Sequence, residues 1–124
     1  MASKLYGNFL AKALNKEVDW DSDTIKVALL SSSYTPNQDT HDYFDDVSSY
    51  EVTGTGYSAG GATLGSKTVS YDATNNVIVL DAADTTWSSS TITARYAVVY
   101  DASGGTAASN ALIGYVDFGS DQSS

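Results

Sequence analysis

Three stretches of this sequence carry residue types that could do chemistry. The first runs from Gly54 to Thr68, GTGYSAGGATLGSKT, and ends in Gly65, Ser66, Lys67 and Thr68. Backbone amides of such a run can cradle a phosphate while a lysine neutralises it. A P-loop needs Gly, four residues, then Gly followed directly by Lys; Gly60 and Gly65 have that gap, but Ser66 separates Gly65 from Lys67. The adjoining residues, Thr68 to Tyr71, read as strand, so no helix N-terminus faces an anion. The pair Gly54 and Gly56 fails the dinucleotide fingerprint on the same ground. The expectation is a long glycine connection between strands, able to lie flat against a neighbouring subunit because glycine lets backbones approach closely.

The second stretch is Asp19, Trp20, Asp21, Ser22 and Asp23. It resembles the start of a calcium loop, but Thr24 and Leu30 stand where an EF-hand needs its Gly and its Glu. A calcium ion at residues 19–23 held by fewer ligands competes with a simple connection made of Asx turns. The third is His41, the only histidine, set between Asp39 and Asp42 with Asp45 and Asp46 close behind. A histidine among carboxylates can bind a metal or act as a general base. No cysteine or second histidine completes a metal set, however, and no Gly-x-Ser-x-Gly elbow is present. An exposed acidic loop is expected there, against the alternative of a hydrolase using His41 with Asp39 or Asp42. Tyr57, Tyr96, Tyr100 and Tyr115, with Trp87, could stack on sugar rings as in a carbohydrate-binding module, but the same residues serve ordinary cores and interfaces. No catalytic, cofactor-binding or metal residue is therefore assigned, and no cofactor is expected.

The elements that must position these groups are mostly strands. Leu5, Phe9, Ala13 and Leu14 recur at helical spacing, with Ser3 as N-cap and Lys16 in the last turn, which predicts an amphipathic helix over 3–17. Ile25, Val27 and Leu29 predict a strand from about residue 24. Residues 31–50 are polar and acidic, with one short helical turn around Tyr43, Phe44 and Val47. Further strands are expected at 50–53, 67–72, 77–81, 91–100 and 111–118, the 67–72 and 77–81 pair closed by the turn cluster from Asp72 to Asn76. In the run 91–100, Ile92, Ala94, Tyr96, Val98 and Tyr100 are expected to share one face. The fold class is mainly β: one domain spanning 1–124, an antiparallel β-sandwich with an N-terminal amphipathic helix.

The bulk composition bounds the function. Fifteen acidic residues against six basic ones give a net charge of -9 over 124 residues. Such a surface repels phosphate backbones and anionic membranes, so neither nucleic acid nor membrane is an expected partner. No window approaches a membrane span, and Gly7, Asn8 and Lys12 interrupt any signal-peptide core. Nothing divides the chain into repeats or linked domains.

Several segments together resemble a family of small tailed-bacteriophage virion structural proteins. They are Lys4 to Leu10 (KLYGNFL), Asp23 to Leu29 (DTIKVAL), Ser33 to Asp39 (SYTPNQD), Glu51 to Tyr57 (EVTGTGY), Ala59 to Gly61, Thr91 to Ala97 (TITARYA) and Ile113 to Phe118 (IGYVDF). The likeness covers nearly the whole chain in order. It implies a non-enzymatic virion component with no catalytic residues. Family members continue beyond the segment matching Gly119 to Ser124 with a further strand. Either this sequence is truncated or that strand is absent, which would expose a sheet edge open to pairing. Acidic charge suits an outward position on the head, away from packaged DNA. The expected role is thus a capsid decoration or cement protein that stabilises the assembled head. It would bind the phage major capsid protein or other virion subunits as a homo-oligomer in the particle, assembled in the host cytoplasm. The alternatives are a tail or fibre subunit and a carbohydrate-binding module.

Overall fold

The longest alternating run, Thr93 to Asp101, is the centre of the molecule. In the computed structural model, which describes residues 2–124, it forms a strand with antiparallel partners on both sides. In chain order the elements are β1 (Ala2–Leu5), α1 (Phe9–Leu14), β2 (Ile25–Leu30), β3 (Ala62–Thr63), β4 (Thr68–Asp72), β5 (Val77–Asp81), β6 (Thr93–Asp101) and β7 (Leu112–Ser123). Short 3-10 turns at Phe44–Asp46, Ser48–Tyr50 and Ala102–Gly104 complete them. Five strands form one antiparallel sheet in the order β1-β7-β6-β2-β3, and β4 and β5 form a separate hairpin. The protein is mainly β, with antiparallel sheets and one short helix near the N-terminus. No helix among the described residues is long and apolar enough to cross a membrane.

The five-stranded sheet is covered on both faces. On one, Ala28, Leu30, Tyr96, Val98, Tyr100 and Leu112 pack under Tyr6, Tyr34, Phe44 and Val47. Most of this cover is the irregular segment 31–50, anchored by Phe44, whose ring stacks on Tyr100 at 4.1 Å. The other face is divided. At one end Ile25 and Ile113 meet Phe9 and Val18, with Trp20, Leu64 and Leu80 packed alongside. At the other end Leu29 and Ala94 meet Val52 and Ile92, flanked by Tyr57, Trp87 and Phe118.

The helix expected over 3–17 is corrected to a strand and a two-turn helix. Residues 2–5 pair with β7, Ala2 opposite Asp117 and Leu5 opposite Gly114. Backbone competition explains the split. The Leu5 carbonyl accepts the Gln38 side-chain amide at 2.7 Å, and the Gly7 amide donates to the Gln38 carbonyl at 2.8 Å. A continuous helix would need that Leu5 carbonyl for its own ladder. Alternation then points Tyr6 into the core and Leu5 the other way. α1 ends in a Schellman motif: Glu17 N–H bonds the Lys12 carbonyl, Lys16 N–H bonds the Ala13 carbonyl, and Lys16 takes φ 64°. Strands thus begin at residue 2 instead of near 24.

The expected shared face of residues 92–100 is also corrected. The register between β6 and β7 shifts between Ala94 and Tyr96, so Ile92 and Ala94 join the cluster of Leu29 while Tyr96, Val98 and Tyr100 line the other. Arg95 holds this bulge through an ion pair of 2.8 Å with Asp117, whose carboxylate also accepts the Gly119 amide. No strand forms at 50–53; Glu51 makes only an isolated bridge to Leu30. The strands at 67–72 and 77–81, the turn between them and the helical turn at Phe44 all lie where the sequence placed them.

Phe44 and Leu14 separate the two descriptions of the N-terminal half. Phe44→Ala removes the ring that fastens 31–50 to the sheet and is expected to cost about 3–5 kcal/mol. Leu14, 77% exposed, should tolerate Ala within about 0.5 kcal/mol. Urea unfolding of both variants measures this; a core-sized loss at Leu14 would restore the long-helix description.

Candidate functional site

The glycine segment folds back onto its own domain. Gly61, at φ +83°, lies so close to β2 that a Cβ would meet the Val27 carbonyl oxygen at 1.9 Å. Gly54 approaches the Thr91 carbonyl in the same way, at 2.3 Å. These glycines serve close approach, as the sequence suggested, but to strands of the same chain. The expected use of their bareness against a neighbouring subunit is corrected to that extent. Three polar side chains fix the loop. Glu51 Oε2 accepts the Tyr57 hydroxyl at 2.5 Å and the Gly60 amide at 2.7 Å, and the Tyr100 hydroxyl donates to the Gly60 carbonyl at 2.5 Å. Lys67, the candidate phosphate lysine, donates to the backbone carbonyl of Asp23. Burial first, then the Glu51 carboxylate, pushes the Tyr57 hydroxyl far above its ordinary range. The same two causes push Tyr100 up to about 12.

The tyrosines suited to sugar stacking do not gather on one open face. Tyr96 and Tyr100 are buried, Tyr115 packs on Tyr6 with centroids 5.3 Å apart, and Tyr57 packs on Trp87 at 5.9 Å.

His41 bonds a tyrosine. Its Nδ1 is 2.8 Å from the Tyr34 hydroxyl, which is 2.8 Å from the Tyr6 hydroxyl, a chain running from the half-exposed imidazole into the core. Burial raises the pKa of both tyrosines, Tyr34 to about 12. Asp42 pairs with Asp46, whose carboxylate caps the Asp42 and Tyr43 amides. Asp39 stands in an Asn37 turn. The structure therefore brings neither Asp39 nor Asp42 into a hydrogen bond with the imidazole.

Asp19 and Asp23 cap their own loop: Asp19 Oδ1 accepts the Ser22 amide and Asp23 Oδ2 accepts the Asp19 amide. Among the described residues, no group of three or more His, Cys, Asp or Glu is arranged to hold a metal ion. Asp23 has a second partner that the sequence did not single out, Asp101 at the end of β6. Asp101 is 2% exposed; its Oδ1 accepts the Ser103 amide at 2.9 Å, and its Oδ2 is buried without a hydrogen-bond partner among the described residues. Burial, then the neighbouring Asp23 carboxyl, pushes the Asp101 carboxyl up to about 7, while Asp101 holds Asp23 below the usual carboxylate range. The 19–24 loop is joined to this end of the sheet by the Ala102 amide, which donates to the Thr24 carbonyl at 2.7 Å, and by the Thr24 amide, which donates to the Ser103 hydroxyl at 2.8 Å. An acid closing an apolar strand just before Ala, Ser and Gly was the available signal, that of a turn cap.

One wide concave feature among the described residues is apolar. The hairpin stands off the sheet beside α1, leaving a cleft of about 840 Å³ whose lining includes Leu5, Leu10, Val69, Ile78 and Leu80. Trp20 ties the hairpin base with an indole N–H bond of 2.9 Å to the Thr68 carbonyl. A shallower hollow of about 320 Å³ continues it over Ile113 and Val116 of β7. No family model, curated protein or solved structure matches the chain.

Two predictions come from the buried polar groups. Tyr34→Phe strands the Tyr6 hydroxyl and should cost about 1–3 kcal/mol, whereas Tyr6→Phe leaves Tyr34 bonded to His41 and should cost only about 0.5–1.5 kcal/mol. Urea unfolding that reversed this order would contradict the chain. Asp101 has a folded pKa above its unfolded one, so its stabilisation is complete below the unfolded pKa and is lost as pH rises through about 7. Asp101→Asn keeps the size of the side chain and cannot ionise. Its melting temperature should gain steadily on the parent chain from about pH 5 to about pH 8; a constant gap would contradict the raised pKa of Asp101.

Proposed function

We propose that this chain is a non-enzymatic structural subunit of a tailed-phage virion, with decoration of the capsid surface as its role. The observation that carries this reading is where polar and apolar groups lie. The side chains with chemical potential, Lys67, Glu51, His41 and Asp101, are engaged in holding loops onto the sheet. The cleft beside α1 is apolar, with few polar groups along it. Large apolar surface beside a solvent-facing acidic one suits binding to another protein. The ordered resemblance to phage structural proteins gives that partner a class: the major capsid protein or another virion subunit. A decoration protein stabilises a shell by binding the assembled lattice better than its free parts.

The test is addition of the purified chain to heads assembled without it. Saturable co-sedimentation and a higher temperature of genome release are expected. Absence of head binding with binding to isolated tails would move the chain to the tail or fibre role, and binding to neither would remove the virion reading.

A further inference from the structure

The end of β6 gathers side-chain oxygens that the chain itself leaves unanswered. Asp101 is 2% exposed, and its Oδ2 is buried with no hydrogen-bond donor among the described residues. Asn110 Oδ1 is buried in the same condition. The fold keeps the two in one neighbourhood. The Asp101 amide bonds the Ala111 carbonyl at 2.8 Å, one residue from Asn110. Gly104 belongs to the turn that Asp101 caps, and a Cβ on it would come within 2.9 Å of Asn110 Oδ1.

The 19–24 loop brings a second carboxylate to this point. The bonds of Thr24 to the Ala102 amide, at 2.7 Å, and to the Ser103 hydroxyl, at 2.8 Å, set Asp23 beside Asp101. Asp23 Oδ2 is taken by the Asp19 amide at 3.0 Å. Lys67 donates to the Asp23 backbone carbonyl and draws on the Asp23 carboxylate, but Asp101 is governed by burial and by Asp23. Two neighbouring carboxylates repel once both are ionised, and a cation between them reverses the sign of that interaction. Asp23 is half-exposed, and Ser103 and Gly104 are exposed, so the pair can be reached from solvent. The donors are hard oxygens of mixed type. Calcium accepts carboxylate, amide and water oxygens in irregular sets, whereas magnesium demands a near-octahedral one.

We infer that Asp23, Asp101 and Asn110 form a calcium site that fastens the 19–24 loop to the turn after β6. The two carboxylates supply the charge, Asn110 a neutral oxygen, and water the remaining positions. Only Asp23 is drawn from the 19–23 stretch. The loop also carries Trp20, whose indole bonds the hairpin base, so the ion steadies the hairpin through it. The inference concerns the isolated chain and stands or falls separately from binding to heads.

The experiment is thermal melting of the full chain, freed of metal by a chelator, at about pH 7.5 and about 0.15 M salt. Calcium or magnesium is added up to about 10 mM, well above the Kd of about 0.1–1 mM that so few charged donors give. Calcium should raise Tm by about 5 °C or more and saturate, with magnesium doing far less. The rise should shrink at about pH 5.5, where protons compete for Asp101. Asp23→Asn and Asp101→Asn should each raise the calcium Kd at least about tenfold, since each removes one of two ligand charges. Asp45→Asn removes an exposed acid elsewhere and should leave the Kd unchanged, which separates a site from general attraction to an acidic surface. Circular dichroism verifies that the variants fold. A parent chain that calcium does not stabilise overturns the inference. So does a rise that both site variants keep, or one that Asp45→Asn removes equally. An equal response to magnesium overturns calcium as the ion.

Discussion

A five-stranded sheet buried on both faces needs two covers, and this chain has one two-turn helix and one hairpin from which to make them. The rest of the structure follows from that shortage. Segments 31–50 and 52–57 have little regular structure, yet they must lie flat on β2, β6 and β7 and still satisfy their backbone groups. Phe44, Val47 and Tyr34 supply the apolar contact on one side, Val52 and Ile92 on the other.

Tyrosine solves the second half of the problem. A ring buries apolar area while its hydroxyl reaches a backbone group or a carboxylate. Tyr57 does this for the Leu29 amide and Glu51, Tyr100 for the Gly60 carbonyl, and Tyr34 for Tyr6 and His41. The same demand explains why groups resembling catalytic residues sit in buried polar pairs. Asp101 ends β6, where the chain must turn at once into the Ala102–Gly104 turn, and its carboxylate caps that turn. The 19–24 loop arrives at the same place, where the Ala102 amide bonds the Thr24 carbonyl and burial raises the Asp101 carboxyl.

Local pattern revealed what local forces decide. β2, β4, β5 and β6 follow from alternation and turn residues, and the Asp72–Asn76 turn is closed by the Asp72 carboxylate accepting the Thr74 and Asn75 amides. What stayed hidden depends on partners distant in sequence. Ser3, Lys4 and Leu5 fit a helix as well as a strand, and the free edge of β7, more than a hundred residues away, decides between them. The bulge at Arg95 depends on Asp117 and Gly119, which no alternation in β6 can reveal. Of the candidate site, the glycines and His41 could be named from the sequence but their partners could not. The exposure of Val77, Ile78 and Val79 was invisible, because a run of β-branched residues reads as a buried strand until the neighbouring layer proves too small to cover it.

That thin second layer raises a question of solubility. An apolar hairpin with open edges invites indiscriminate pairing in most proteins, which blunt such edges with charge. Here the charge lies elsewhere: eight of the fifteen acids fall between Glu17 and Asp46, and the hairpin has only Asp72 and Asp81. A net charge of -9 opposes close approach in most orientations. The orientations least opposed bring the basic N-terminal segment of one molecule against an acidic region of another. Long-range repulsion and a short apolar patch therefore act together: the first suppresses random contacts, and the second rewards the few geometries that the first permits.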